Sequence, residues 1–175
     1  MKKVRTPISW LVLFFGLLWL ILWLWQQPAS KSQNMDEWPT VAAQDIVTII
    51  IQKAASAKLV LQLEKGQWLL VNGDVAVQDA VLRLRDDLAG MQVIRVVTRK
   101  RDYDAELGML DRAVSVQCMD AQGRLLLDLV IGKQGSDLLS TYVRRVGDDA
   151  LVAVNRALVW QVKRSNSAWK SVENG

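Results

Sequence analysis

Short segments that are β-branched or apolar at every second position occur repeatedly between residues 46 and 154. In one of them, Leu59, Leu61 and Leu63 fall on the same face of an extended strand, because side chains alternate between the two faces of a sheet. Asn, Asp and Gly residues between the segments favour tight turns. The pattern predicts eight strands, at Ile46–Gln52, Lys58–Glu64, Gln67–Val71, Gln92–Thr98, Ala113–Met119, Arg124–Ile131, Thr141–Val146 and Ala150–Val154.

Two other segments follow the helical period. Apolar residues at 77, 81, 84 and 88 are three or four apart, and Gly90 ends the pattern, with Asp74 as a candidate N-cap. Asn155 is a candidate cap for a last helix, in which Leu158, Val159 and Val162 face inward beside Trp160. Hairpins followed by a helix occur twice, at 46–89 and 113–164. We therefore expect an α+β domain, an antiparallel sheet made of β-hairpins and covered by two helices.

The N-terminal region has a different residue pattern, with 18 uncharged and mostly apolar residues from Ile8 to Trp25. As a helix this segment rises about 27 Å, enough to cross a bilayer core. No small-residue cleavage site adjoins it, so we interpret it as an uncleaved signal anchor, with cleavage near Ala29 as the alternative. Lys2, Lys3 and Arg5 on the short side predict a cytoplasmic N-terminus in the inner membrane and a periplasmic body.

These features predict five regions in the chain. They are a cytoplasmic tail (1–7), a transmembrane anchor (8–25), a linker (26–44), a periplasmic α+β domain (45–165) and a C-terminal tail (166–175). Three of the 22 basic residues precede the anchor, so the other 19 nearly balance the 18 acidic ones, although the whole chain carries +4. A near-neutral domain outside the cytoplasm lacks the charge that nucleic-acid binding requires, and we expect no nucleic-acid partner.

One face of the predicted anchor carries a stripe of large side chains, Val12, Phe15, Trp19 and Trp23, spaced three or four residues apart. This stripe either faces lipid or packs on the transmembrane helix of an integral-membrane partner.

The sequence contains no histidine and one cysteine, Cys118. Histidine-dependent nucleophiles, most catalytic zinc sites and an internal disulfide are therefore excluded. Asp102, Asp104 and Glu106 resemble the start of a calcium loop, but Leu107 and Ala113 occupy the positions that need Gly and Glu. Gly132-Lys133 lacks the remaining residues of a phosphate loop, and Cys118 fits a buried apolar thiol. We expect no catalytic residue, no cofactor and no metal.

Two basic clusters remain as candidate sites. They are Arg99-Lys100-Arg101 and the pair Arg144-Arg145. Such residues serve either as solvated charges that keep sheet edges apart or as an anion-binding or partner-binding patch.

Several short motifs in the second half occur at similar spacing in a known family. They are Glu106-Leu107-Gly108-Met109-Leu110-Asp111, Val114-Ser115-Val116, Asp120-Ala121-Gln122-Gly123, Val130-Ile131-Gly132-Lys133 and Thr141-Tyr142-Val143-Arg144, with Trp68 upstream. In these motifs, over roughly residues 45–165, the chain resembles the bacterial domain of unknown function 4340 family. Arg112 stands where the family usually has a proline. The resemblance implies a membrane-anchored envelope protein, often encoded near transporter components, and carries over no activity.

We therefore expect a non-enzymatic scaffold or accessory subunit of a transporter-like membrane complex. The alternatives are a periplasmic domain that senses a small ligand or a glycan and, third, a hydrolase of unknown substrate. A deep polar pocket would favour sensing, and an exposed apolar patch would favour a partner surface.

Overall fold

All eight strands predicted from the sequence form close to their expected positions. The computed structural model describes residues 38–54 and 57–171. The strands are β1 (Thr48–Lys53), β2 (Leu59–Glu64), β3 (Gln67–Leu70), β4 (Val93–Thr98), β5 (Val114–Met119), β6 (Leu125–Gln134), β7 (Thr141–Arg145) and β8 (Leu151–Val154). The largest departure is β6, which continues past Ile131 because Gln134 still pairs with Thr141 of β7.

The strands join into a single sheet in the order β3-β2-β1-β5-β6-β7-β8-β4, and every neighbouring pair is antiparallel. Most neighbouring strands are consecutive in the chain and form hairpins, but β1 pairs with β5 and β4 pairs with β8 across long stretches of chain. The two hairpin-and-helix segments predicted from the sequence therefore share one sheet. The edges of this sheet are β3 and β4.

The first helix, α1 (Gln78–Ala89), buries Val81, Leu84 and Leu88, as the helical period predicts. Its C-terminal cap is Gly90, whose N–H donates to the Asp86 carbonyl at 2.8 Å. The proposed cap Asp74 is wrong, because the N-cap position is Val77. Asp74 instead accepts a hydrogen bond from the Asn72 side-chain amide, donates its own N–H to the Asn72 side-chain oxygen, and pairs with Lys170.

The last helix, α2 (Val159–Val162), is a single turn that begins after Leu158. Asn155 is not its cap, since its side-chain oxygen accepts a hydrogen bond from the Gln92 N–H at 2.8 Å. A 3-10 turn, Asn166–Trp169, follows it, and two others lie at Ala43–Asp45 and Arg101–Tyr103. Short helical turns rather than a long second helix thus complete the helical layer.

The core lies between one face of the sheet and these helices. In the sheet register Ile49 is opposite Cys118, and Cys118 is opposite Leu127, so that their side chains lie side by side on the core face. Trp68 and Trp169 are the largest fully buried side chains of the core. For the residues that the structure describes, the predicted α+β class with an antiparallel sheet and two helices is confirmed.

Ordered structure is found on both sides of the predicted range 45–165. Trp38 and Val41 pack against the core from the N-terminal side, and Trp169 is part of the core. The predicted anchor, with its stripe, lies outside the described residues. Within residues 38–54 and 57–171, no helix combines the length and the apolar character that crossing a bilayer requires.

Candidate functional site

The connection between β4 and β5, residues 99–113, crosses the sheet face opposite the core, and we call it the strap. It is fixed there by a buried ion pair between Arg144 of β7 and Asp104. Nη1 and Nη2 of Arg144 each donate to one oxygen of Asp104 at 2.7 Å, and the two side chains are only 5% and 11% exposed. These hydrogen bonds hold the pKa of Asp104 below its usual range.

This pair changes the interpretation of the predicted basic clusters. Adjacent residues of a strand point to opposite faces, so Arg144 reaches the strap while Arg145 lies on the other side beside Asp148 at 3.5 Å. Arg101 contacts Asp149 at 3.1 Å and Asp104 at 3.8 Å. The structure thus brings Arg101 and Arg144 to one carboxylate.

The remaining residues of the two sequence patterns are exposed. Arg99 and Lys100 lie in solvent where the strap begins. Within the acidic triplet only Asp104 is buried, while Asp102 and Glu106 are exposed. The sequence spacing showed both clusters but gave no sign that Asp104 and Arg144, 40 positions apart, would meet.

A second contact holds the strap against the end of β6. The Lys133 N–H donates to the Leu107 carbonyl at 3.0 Å. Gly132 permits this approach, because a Cβ atom there would lie 2.5 Å from the Leu107 oxygen and 2.8 Å from the Met109 methyl group. Leu110, the next residue of the strap, is 55% exposed.

The loop between β6 and β7, residues 135–140, exposes two consecutive leucines at this same end of β6. We call it the leucine tip. Leu138 is 67% exposed and Leu139 is 73% exposed. Leu138 also has a φ of +59°, in the left-handed region that costs an ordinary residue about 1–2 kcal/mol.

Hydrogen bonds hold the leucine tip in this conformation. One Asp137 oxygen accepts from the Leu139 N–H at 3.0 Å, from the Ser140 N–H at 2.9 Å and from the Ser140 hydroxyl at 2.7 Å. The same bonds hold the pKa of Asp137 below its usual range, with the Ser140 N–H as the largest cause. The Gln134 amide also donates to the Leu138 carbonyl. The exposed leucines are therefore presented by a well-bonded turn.

We call Leu110, Leu138 and Leu139 together the apolar end of the sheet. Their side chains offer no acid, base or nucleophile, so the chemistry available there is the burial of apolar surface against another molecule. The sequence pattern predicts no helix or strand between residues 131 and 141, and it did not reveal this surface. The only signal was a Leu-Leu pair between Asp137 and Ser140, where a loop normally carries polar residues.

The one thiol of the chain does not contribute to this surface. Cys118 is fully buried, as predicted, and burial raises its pKa to about 12. Across the described part of the chain, no three His, Cys, Asp or Glu side chains gather as a metal site would require.

Comparisons of the chain with protein-family models, curated proteins and solved structures find no match.

Proposed function

We propose that this protein is a single-pass envelope protein whose domain docks, without catalysis, onto an integral-membrane partner as a scaffold or accessory subunit of a transporter-like complex. The observation that carries the proposal is the apolar end, where Leu138 and Leu139 are held in solvent by a strained turn that hydrogen bonds to Asp137 stabilise. Placing a leucine in the left-handed region and in water is unfavourable on both counts. Binding to a partner would offset both costs.

The energy available at this surface suits a specific contact. Burying one leucine side chain contributes about 1.5–3 kcal/mol. The turn is already ordered, so little conformational entropy is lost on binding. The strap keeps Leu110 in place through the Asp104–Arg144 pair and the approach at Gly132. A few pre-organised apolar anchors are what dominates the energy of many interfaces.

The membrane part of the proposal comes from the sequence. The apolar segment 8–25 would anchor the chain in the inner membrane with the N-terminus in the cytoplasm and the domain in the periplasm. Its stripe Val12, Phe15, Trp19 and Trp23 would face either lipid or the partner's helix. If the stripe packs on a partner's transmembrane helix, replacing Phe15 and Trp19 by Leu should weaken recovery of the complex without changing insertion of the chain into the membrane.

Membership of the domain of unknown function 4340 family is part of the same proposal. It is supported by where the quoted motifs fall: on the strap, on β5, in the β5–β6 turn, on β6 and on β7, which are neighbours in the sheet. Asp120, the first residue of the turn motif, accepts hydrogen bonds from the Gln122 and Arg124 N–H groups. These motifs would then build the surface that carries the apolar end.

Site-specific photo-crosslinking in cells that make the full chain tests the docking proposal. A crosslinker at position 139 should capture one defined integral-membrane protein, and Leu138→Asn should reduce the yield from that position. The matched control is Leu125, which is 51% exposed at the opposite end of β6. The same product from positions 125 and 139, or no membrane-protein product from 139, would show that the apolar end is not the docking surface.

A further inference from the structure

A cleft on the helical side of the molecule brings together two tryptophans and two arginines. It lies between α1 and the C-terminal turns and has a volume of about 190 Å³. The side chains that define its chemistry are Asp79, Arg83, Trp160, Gln161, Arg164 and Trp169. A drug-sized ligand fills about 300–1,000 Å³, so this cleft suits one ring.

The two guanidinium groups of the cleft are available for a ligand. Within residues 38–54 and 57–171, neither Arg83 nor Arg164 has a carboxylate within 4.0 Å or a side-chain hydrogen bond. By contrast, Arg144 and Arg124 hold carboxylates at 2.7 and 2.6 Å. A guanidinium presents a planar fork of donors that matches an oxyanion such as a carboxylate or phosphate.

The aromatic groups give the cleft flat apolar surfaces. The Arg164 guanidinium lies 5.3 Å from the centre of the buried Trp169 ring, a cation–π contact that orients it. Trp160 lines the cleft and is 49% exposed, so part of its indole faces solvent. A half-exposed indole can stack against the apolar face of a ring.

The carboxylate of Asp79 limits which kind of anionic ligand the cleft can bind. It lines the cleft and, among the described residues, pairs with no cation. Its carboxylate would repel a ligand that offers only negative charge, but it accepts hydrogen bonds from hydroxyl groups. Two donors, one acceptor and an indole platform therefore match a ring that carries both hydroxyls and an oxyanion. We propose that the cleft binds an acidic sugar, a single uronic-acid-type residue of a glycan.

This proposal is independent of docking at the apolar end, because the two sites share no residue. The test uses the full chain in nanodiscs of zwitterionic lipid, since sugar-based detergents would compete. Methyl glucuronide, methyl glucoside and inorganic phosphate are titrated separately, and binding is followed by saturation-transfer NMR. We expect saturable glucuronide binding, with the neutral glucoside and phosphate each weaker by about tenfold or more.

The variants locate the site. Arg83→Gln should weaken glucuronide binding about tenfold and leave the glucoside unchanged, because it removes the contact to the oxyanion. Trp160→Ala should weaken both sugars. Arg95→Gln, at an exposed arginine of the edge strand β4 outside the cleft, should change neither.

Three results would overturn the proposal. They are no saturable glucuronide binding, equal affinity for all three probes, and equal affinities for Arg83→Gln and Arg95→Gln. The melting temperature of each variant shows whether it remains folded. If Trp160→Ala does not remain folded, Arg83→Gln still tests the proposal, because Arg83 is exposed on α1.

Discussion

Replacing Asp104 by Asn tests whether a buried charge pair holds the strap to the sheet. The substitution keeps the shape of the side chain but removes its charge. Arg144, only 5% exposed and with its Nε without a hydrogen-bond partner in the described residues, then becomes an uncompensated buried cation. Removing one partner of a buried pair costs about 3–5 kcal/mol. We expect about 3 kcal/mol, the lower end, because the Asp104 side chain keeps 11% of its surface exposed to water.

The free energy of unfolding is measured by urea titration of the full chain in non-ionic detergent, followed through the buried Trp68 and Trp169. Asp149→Asn is the matched control, since Arg101–Asp149 is an ion pair with side chains 57% and 77% exposed, and it should change stability little. The double variant Asp104→Leu/Arg144→Met should recover most of the loss, because no buried charge remains.

The pH dependence gives a second readout. The Arg144 guanidinium lowers the pKa of Asp104 in the folded state. The contribution of Asp104 to the free energy of unfolding is therefore fully present above its unfolded pKa of about 3.9 and is lost as the pH falls through its folded pKa. The stability difference between wild type and Asp104→Asn should therefore shrink in acid. A loss below about 1 kcal/mol at neutral pH, typical of an exposed pair, would refute the argument, as would a double variant no more stable than the single one.

Three further predictions follow from individual positions. Gly132→Ala should lower the free energy of unfolding by about 1–3 kcal/mol and speed hydrogen exchange of the Lys133 amide, because its Cβ collides with the strap; an unchanged exchange rate would contradict this. Leu138→Asn should raise stability by about 1 kcal/mol in the same urea titration, since Asn tolerates the left-handed backbone, while it weakens crosslinking at position 139; lower stability would argue against strain at Leu138. Cys118 should react with a thiol reagent at pH 8 only after unfolding, because burial raises its pKa to about 12; reaction in the native state would show that the thiol is accessible.

Local patterns were enough to predict the secondary structure of the described domain. Alternation, β-branched runs and turn residues predicted the strands, and the three-four spacing predicted the buried side of α1, because these signals depend on residues within a few positions of each other. Caps were less predictable. Asp74 and Asn155 have suitable side chains, but each bonds elsewhere in the structure, Asp74 to Lys170 and Asn155 to the Gln92 N–H.

The composition by itself determined the residue chemistry that this chain can offer, with no histidine and a single thiol. Only the tertiary structure decided which charged side chains are paired within the domain and which remain available to bind another molecule. Pairing of β1 with β5 and of β4 with β8 sets the order of the sheet, and the connection from β4 back to β5 then carries Asp104 across to Arg144. The same long-range packing leaves Leu138 and Leu139 in solvent. The physical reason is that periodicity encodes which face of an element is apolar, whereas the neighbour of that element depends on contacts between residues far apart in the chain.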